Sequence, residues 1–319
     1  MSAAAARAAM RLATIDLGTN MVRLLVAETA PGGWRPVERA QHVTRLGEGQ
    51  AARGPLGAAP MARTRETVAA FVRRAEALGA ARVRIAATSA VREASNRAAF
   101  VAELEGATGR AVEVLSGEDE ARLTLLGVTR GLPSLRGSFV MLDIGGGSTE
   151  LALARDGSLA AAVSLRLGVV SQAEGHPGDG RWDAAALTRL RGQIGARLRA
   201  EVPEAIVAAG AAQLVGTAGT VSTLAALDLG LVEYDVERVQ GHRLTRAAIE
   251  AILARLAALT NAARGGLPCL EPGRADVIVP GIAICLGAMA RLGFDVLTVS
   301  DHGLREGILC EILPHDSPP

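Results

Sequence analysis

The sequence predicts an α/β protein of two related domains facing each other across a cleft. An apolar run ending in aspartate, a glycine turn and a second apolar run occur twice, in RLATIDLGTNMVRLLVAE around Asp16 and in SFVMLDIGGGSTELALAR around Asp143. The two aspartates are 127 residues apart, about the length of one domain. A chain of 319 residues, 49% of them hydrophobic, exceeds what a single core usually serves and can build two. The competing fold, a doubly wound dinucleotide-binding domain, needs G-x-G-x-x-G between a strand and a helix. Here each glycine turn leads into another strand.

The elements follow in order. RLATID (11–16) and MVRLLVAE (21–28) read as strands joined by the turn LGTN. Helical periodicity runs over 60–79 and stops at Gly79; RVRIAATS (82–89) is a strand, residues 91–106 a helix and RAVEVL (110–115) a strand. Ser116 is a suitable N-cap for the helix starting GEDEARLTLLGV. Strand 138–143 then meets GGGST, and a strand pair over 150–165 closes at Asp156-Gly157. A Gly/Pro-rich stretch at 175–180 precedes a helix at about 183–201 and the strand 211–216. Helices are expected near 217–227, 245–259 and 275–291, then the strand 294–300 and a last helix from Asp301. The expected domains are 1–125 and 126–319, the last helix packing back on the first.

Composition excludes several functions. All 34 basic residues are arginine, so Walker loops, Schiff-base chemistry and the usual protein-kinase ATP site lack their lysine. Aromatics at 2% argue against stacking platforms for single-stranded nucleic acid. The longest apolar run, 277–290, is too short to span a bilayer, and the alanine-rich start lacks the pattern of a signal peptide and reads as a disordered tail. Three cysteines without metal or redox spacing fit a reduced, cytoplasmic protein. Neither a nucleic acid nor a membrane is therefore an expected partner. Residues 1–110 carry a balance of +7 and residues 111–319 one of −6, which points to a polyanionic ligand on the first half.

Three consecutive glycines cost backbone entropy, so the turn after Asp143 must need bare backbone. The N–H groups of Gly145, Gly146 and Gly147 can converge on one anion, with the hydroxyls of Ser148 and Thr149 beside them. Carboxylates flanking an anion repel it unless a cation intervenes. Asp143 and Glu150, with Asp16 on the opposite turn, therefore suggest Mg²⁺ or another divalent ion between carboxylate and phosphate oxygens.

IDLGTNMVRLLVAE, AATSAVREASN, LSGEDEARL, LDIGGGSTEL, VGTAGT, GRADVIVPG and SDHGLREG occur in this order over nearly the whole chain. Together they resemble the exopolyphosphatase/guanosine-pentaphosphate phosphohydrolase (Ppx/GppA) family. The resemblance implies the actin-like, sugar-kinase and Hsp70 ATPase fold class (ribonuclease H-like), and Mg²⁺-dependent hydrolysis of a terminal phosphoanhydride. By position in these motifs Glu120 is the catalytic base, working with Asp143. Helical spacing puts Glu118 about 200° from it, so the two cannot face one cleft. Arg92 matches a phosphate-binding arginine beside Ser89, and Asn20, Arg23 and Arg305 match phosphate-facing positions. Thr19 and Met21 stand where serines are common. His302 reads as structural. The chain ends at Pro319, so the likeness is to short members without a C-terminal HD-like domain, and a homodimer stays open. The expected substrate is polyphosphate, the alternative guanosine pentaphosphate (pppGpp). A kinase of the same fold and a non-catalytic sensor of guanosine polyphosphates are weaker alternatives.

Overall fold

The structure, a computed structural model, describes residues 9–314 except 51, 177 and 272. Most of the expected tail, residues 1–8, lies outside the described residues, as does residue 177 of the Gly/Pro-rich stretch. The first unit is built from β1 (Arg11–Leu17), β2 (Met21–Ala30), β3 (Gly33–Val43), α1 (Ala58–Ala77), β4 (Ala80–Ala87), α2 (Ser89–Glu93), α3 (Arg97–Thr108) and β5 (Val112–Val114). Helix α4 (Gly117–Gly131) leads into β6 (Ser138–Ile144), β7 (Thr149–Arg155), β8 (Ser158–Leu165), α5 (Val169–Glu174), α6 (Ala184–Glu201), α7 (Glu204–Val207) and β9 (Gln213–Thr217). There follow α8 (Ala218–Asp228), α9 (Val236–Val239), β10 (Arg243–Thr245), α10 (Arg246–Ala257), α11 (Asn261–Gly265), α12 (Ile278–Leu292), β11 (Val296–Val299) and α13 (Leu304–Ile312).

The two sheets have the strand orders β3-β2-β1-β4-β5 and β10-β11-β9-β6-β7-β8. In each, three antiparallel strands continue into strands parallel to the first, the second sheet ending in the antiparallel β10, so β1, β2, β3 and β4 correspond to β6, β7, β8 and β9. The central strands RLATIDL and SFVMLDI are buried from their second residue to their last. That continuous apolar character is what a strand covered on both faces requires. Helix α1 covers the first sheet with Val68, Val72 and Ala75 on one stripe. Helix α12 is apolar nearly all round because it is buried nearly all round.

Besides the short elements α5, α7, α9, β10 and α11, which were not expected, two longer stretches differ from expectation. The helix expected over 91–106 is broken at Ala94–Asn96. Asn96 spends its side chain on the backbone of Leu56, accepting from its N–H at 2.9 Å and donating to its carbonyl at 3.1 Å. Strand β3 carries no apolar alternation because it is an edge strand, rich in charge, with Pro36 beside a register shift in its pairing with β2.

The units exchange their last covers. Residue 125, the expected boundary, falls inside α4, whose Ala121, Leu125 and Val128 pack with Phe139, Met141 and Ala152 of the second sheet. Leu309 of α13 returns to Leu12, Leu25 and Ala27 of the first. Helices α4 and α13 touch through Gly127 and Gly307, where any Cβ would overlap backbone. Two helices thus cross the seam, and both glycine turns open into the cleft beside it.

Candidate active site

Each turn is closed in the same way. Gly18 N–H donates to the carbonyl of Met21 at 3.0 Å, and Gly145 N–H to that of Ser148 at 2.9 Å. Gly145 therefore spends on the turn the donor expected to face an anion. Gly146 and Gly147 N–H groups donate to no described residue and line the cleft. None of the three glycines has a positive φ. Their need is space: a Cβ on Gly146 would lie 3.0 Å from Asn20 N, and one on Gly147 2.5 Å from Thr19 Oγ1 and 2.7 Å from Ser89 Oγ. The second turn is pressed against the first turn and the start of α2.

A cavity of about 550 Å³ opens where the turns meet. Its wall brings together Asp16, Asn20, Arg23, Ser89, Glu120, Asp143, Gly145, Gly146, Gly147, Ser148 and Arg305 from the residues the sequence singled out. Arg92 and Glu150 stand one layer behind. Glu118 is exposed whereas Glu120 is 7% exposed, as the helical spacing requires. Ser116 caps α4 by accepting from Asp119 N–H at 3.0 Å, which fixes the helix start that delivers Glu120.

Arg92 reaches the base instead of the cleft wall. Its Nη1 donates to Glu120 Oε2 at 2.6 Å and to the Leu115 carbonyl at 3.1 Å, with Nη2 3.5 Å from Ser164 Oγ. It lies in the last turn of the short helix α2, and its long side chain reaches past the end of β5 to the first turn of α4. Burial, then the charge of Glu150, push the Glu120 carboxyl well above the usual range, and Arg92 opposes them.

Asp143 and Glu150 are direct cross-strand partners on β6 and β7. Burial first, then Glu150, raises Asp143 to about 7, while Arg23 and a hydrogen bond from Thr124 oppose the shift. Burial raises Glu150 too; Ser164 Oγ donates to it at 2.7 Å. The equivalent pair on the first turn is Asp16 and Arg23, in contact at 3.4 Å. Burial raises Asp16, and Arg23 and Arg305 restrain it. Among the described residues no group of three or more His, Cys, Asp and Glu side chains could hold a metal by itself. A hard cation that keeps waters and takes phosphate oxygens needs only one or two carboxylates. The paired, mutually repelling Asp143 and Glu150, with Asp16 opposite, fit that requirement, Asp143 and Asp16 reaching the cleft directly.

Sequence reasoning missed Arg274. It lies in the loop before α12, its side chain 12% exposed on the cleft wall and ion-paired to Glu271 at 2.7 Å. Its guanidinium occupies the space over Gly219, where a Cβ would be 1.4 Å from Nη1. Ala218, next to it in VGTAGT, is held at φ 68°, a strained backbone on the cleft wall. The motif GRADVIVPG was the available signal, but no periodicity pointed to its arginine. His302 stacks on Trp34 at 5.5 Å between ring centres and is structural.

The Ppx/GppA phosphatase family model matches residues 25–316. Exopolyphosphatase 2 of Mycobacterium tuberculosis is 36% identical over 316 residues, covering 93% of this chain and 97% of the relative. A guanosine-5'-triphosphate,3'-diphosphate pyrophosphatase of Aeromonas hydrophila is 28% identical over 94% of this chain and 59% of its own length. The crystal structure of the Aquifex aeolicus Ppx/GppA family member superposes with a TM-score of 0.80 at 29% identity, covering 97% of this chain and 100% of the other.

Proposed function

The chain belongs to the Ppx/GppA phosphatase family, and from that premise and the cleft we propose that it is an exopolyphosphatase. It hydrolyses the terminal phosphoanhydride of inorganic polyphosphate and releases phosphate. The observation that carries this reading is the buried Glu120, held by Arg92 at the wall where the second turn offers the free N–H groups of Gly146 and Gly147. Phosphoryl transfer to water needs a carboxylate to orient and deprotonate the nucleophile, and donors placed where charge spreads.

In this reading Gly146 and Gly147 N–H, Ser89 and Arg23 hold the terminal phosphate, and Arg274 and Arg305 hold its neighbours. Glu120 accepts a proton from water as the oxygen attacks phosphorus, and the shortened chain leaves with the bridging oxygen. Arg92 keeps Glu120 oriented and counters the burial that would otherwise hold it protonated. Asp143 and Asp16 would hold a divalent cation together with its waters and the phosphate oxygens, with Glu150 adding negative charge from behind, and the ion when bound would neutralise charge on those oxygens. The balance of +7 over residues 1–110 favours an extended polyanion.

A second reading, a pppGpp 5'-phosphohydrolase, is favoured by Tyr234, Leu270 and Ile278, which extend the cleft with surface suited to a nucleoside. Three free cysteines, Cys269, Cys285 and Cys310, fit a reducing, cytoplasmic compartment. Acting on pppGpp would place the enzyme in the stringent response. Among the described residues no helix is long and apolar enough to cross a membrane.

The test is a side-by-side phosphate-release assay with medium-chain polyphosphate and pppGpp in Mg²⁺. Faster release from polyphosphate, with affinity falling steeply as salt rises, is expected. Release from pppGpp alone would install the second reading, and turnover that requires an acceptor would make the protein a kinase.

A further inference from the structure

A second cavity of about 350 Å³ lies behind the meeting turns and shares Thr19, Ser89, Gly146 and Gly147 with the front cleft. These four residues are the partition between them. Thr19 and Ser89 belong to the first unit and the two glycines to the second, so the partition is also the seam. No hydrogen bond among the described residues joins its two sides. Thr19 Oγ1 is buried without a partner, Thr19 itself being 6% exposed, and Gly146 and Gly147 keep their N–H groups free. A wall made of polar atoms in contact but unbonded costs little to part, and offers donors to an anion that parts it.

The rear rim is loosely tied. Arg166 pairs with Glu93 at 3.4 Å across the seam, the two side chains 41% and 26% exposed, and Gly49 N–H donates to Glu174 at 2.8 Å. Exposed pairs of this kind contribute at most about 1 kcal/mol. Arg166 and Arg197 line the cavity together with Glu93 and Glu174, Arg166 pairing with Glu93 and Arg197 with Glu201, so its anion donors are the free N–H groups of the partition.

Resting on the exopolyphosphatase reading, we propose that this rear cavity is the exit route and transient binding site of the released inorganic phosphate. The cleaved phosphate is formed against the partition, while the remaining chain fills the front cleft and blocks the way it came. Leaving through the seam between Thr19 and Gly147 lets phosphate depart with the polymer still seated. The next residue of the polymer can then advance without a new encounter. The rear cavity thus supplies a physical basis for repeated cleavage.

Two measurements on the 319-residue chain test this. With polyphosphate varied, inorganic phosphate is expected to inhibit noncompetitively, because product and polymer occupy different cavities. Replacing exposed Ser171, which lines the rear cavity, by the large Ser171→Trp side chain should slow phosphate release several-fold, read with a fluorescent phosphate sensor. Bond cleavage in the first turnover, read by acid quench, should keep its rate. Purely competitive inhibition by phosphate in the wild type, or release in Ser171→Trp that keeps pace with cleavage, overturns the proposal. If quenched wild-type samples show no cleaved phosphate, the exopolyphosphatase reading itself has failed. Should Ser171→Trp not fold, the wild-type inhibition pattern decides alone.

Discussion

The turns after Asp16 and Asp143 are nearly the same object with one position changed in sign. Both end a buried central strand in aspartate, place glycine two residues later, close with an equivalent hydrogen bond, and pair the aspartate with the residue seven positions on. That residue is Arg23 on the first turn and Glu150 on the second. Burial raises both aspartates, but the first is restrained by Arg23 at 3.4 Å, whereas the second also faces the like charge of Glu150 and is pushed up to about 7. One backbone device thus gives two electrostatic environments beside its aspartate: Arg23 can face an anion, whereas the Asp143–Glu150 pair calls for a cation. Glu120, Asp143 and Glu150 together form an acidic layer that Arg92 and Arg23 temper by charge and Thr124 and Ser164 by hydrogen bonds.

The largest effect belongs to the group that stands between the turns. Glu120→Gln keeps the shape and the Arg92 contact but loses the proton acceptor, and kcat should fall by about 10²–10⁴-fold with substrate affinity kept. Quench-flow with a binding assay checks both quantities. A loss of affinity equal to the loss in kcat would move Glu120 from base to binding group.

Contact between the turns is the next point to break. Gly147→Ala puts a methyl group 2.5 Å from Thr19 Oγ1, and overpacking of this kind typically costs about 1–3 kcal/mol. Thermal unfolding should show that loss together with reduced turnover. Unchanged stability would mean that the added methyl finds room and that the close approach of Gly147 to Thr19 is not needed by the folded chain.

The second turn also predicts an unusual pH dependence. The Asp143 carboxyl lies at about 7 in the folded chain against 3.8 as its ordinary value. Its favourable contribution is therefore fully present below about pH 4 and is lost as pH rises through 7. With divalent ions chelated, stability should decline over that window, and Asp143→Asn should be more stable than wild type at pH 8. Added Mg²⁺ should recover the wild-type loss, since it binds only the folded form. An equal decline in Asp143→Asn would remove the strain assigned to this pair. The smallest change expected is Glu118→Gln, exposed on the far face of α4, at a few tenths of a kcal/mol through the helix dipole.

Much of this comparison was legible in the sequence because it is written in local patterns. Apolar runs ending in aspartate marked the central strands, and helical spacing separated buried Glu120 from exposed Glu118. What depends on contacts between distant residues was not legible. The glycines after Asp143 were read as anion donors, yet Gly146 and Gly147 are also required by the approach of Thr19, Asn20 and Ser89. Arg92 was read as facing phosphate, but the fold turns it to Glu120. Strand β3 escaped because an edge strand carries no alternation, and Arg274 because a loop carries no period. The crossing of α4 and α13 depends on Gly127 and Gly307, which nothing local distinguishes from other helical glycines.

The crossed pair Arg23→Gln and Asp143→Asn tests the division of labour between the turns most directly. Phosphate release from polyphosphate is measured over a grid of Mg²⁺ and substrate concentrations for both variants. Arg23→Gln should raise the KM for polyphosphate and keep the wild-type Mg²⁺ requirement. Asp143→Asn should raise the Mg²⁺ requirement, with polyphosphate binding in saturating Mg²⁺ kept. Both variants shifting the two requirements alike, or Asp143→Asn retaining the wild-type metal dependence, would contradict the assignment of the anion to Arg23 and of the cation to Asp143.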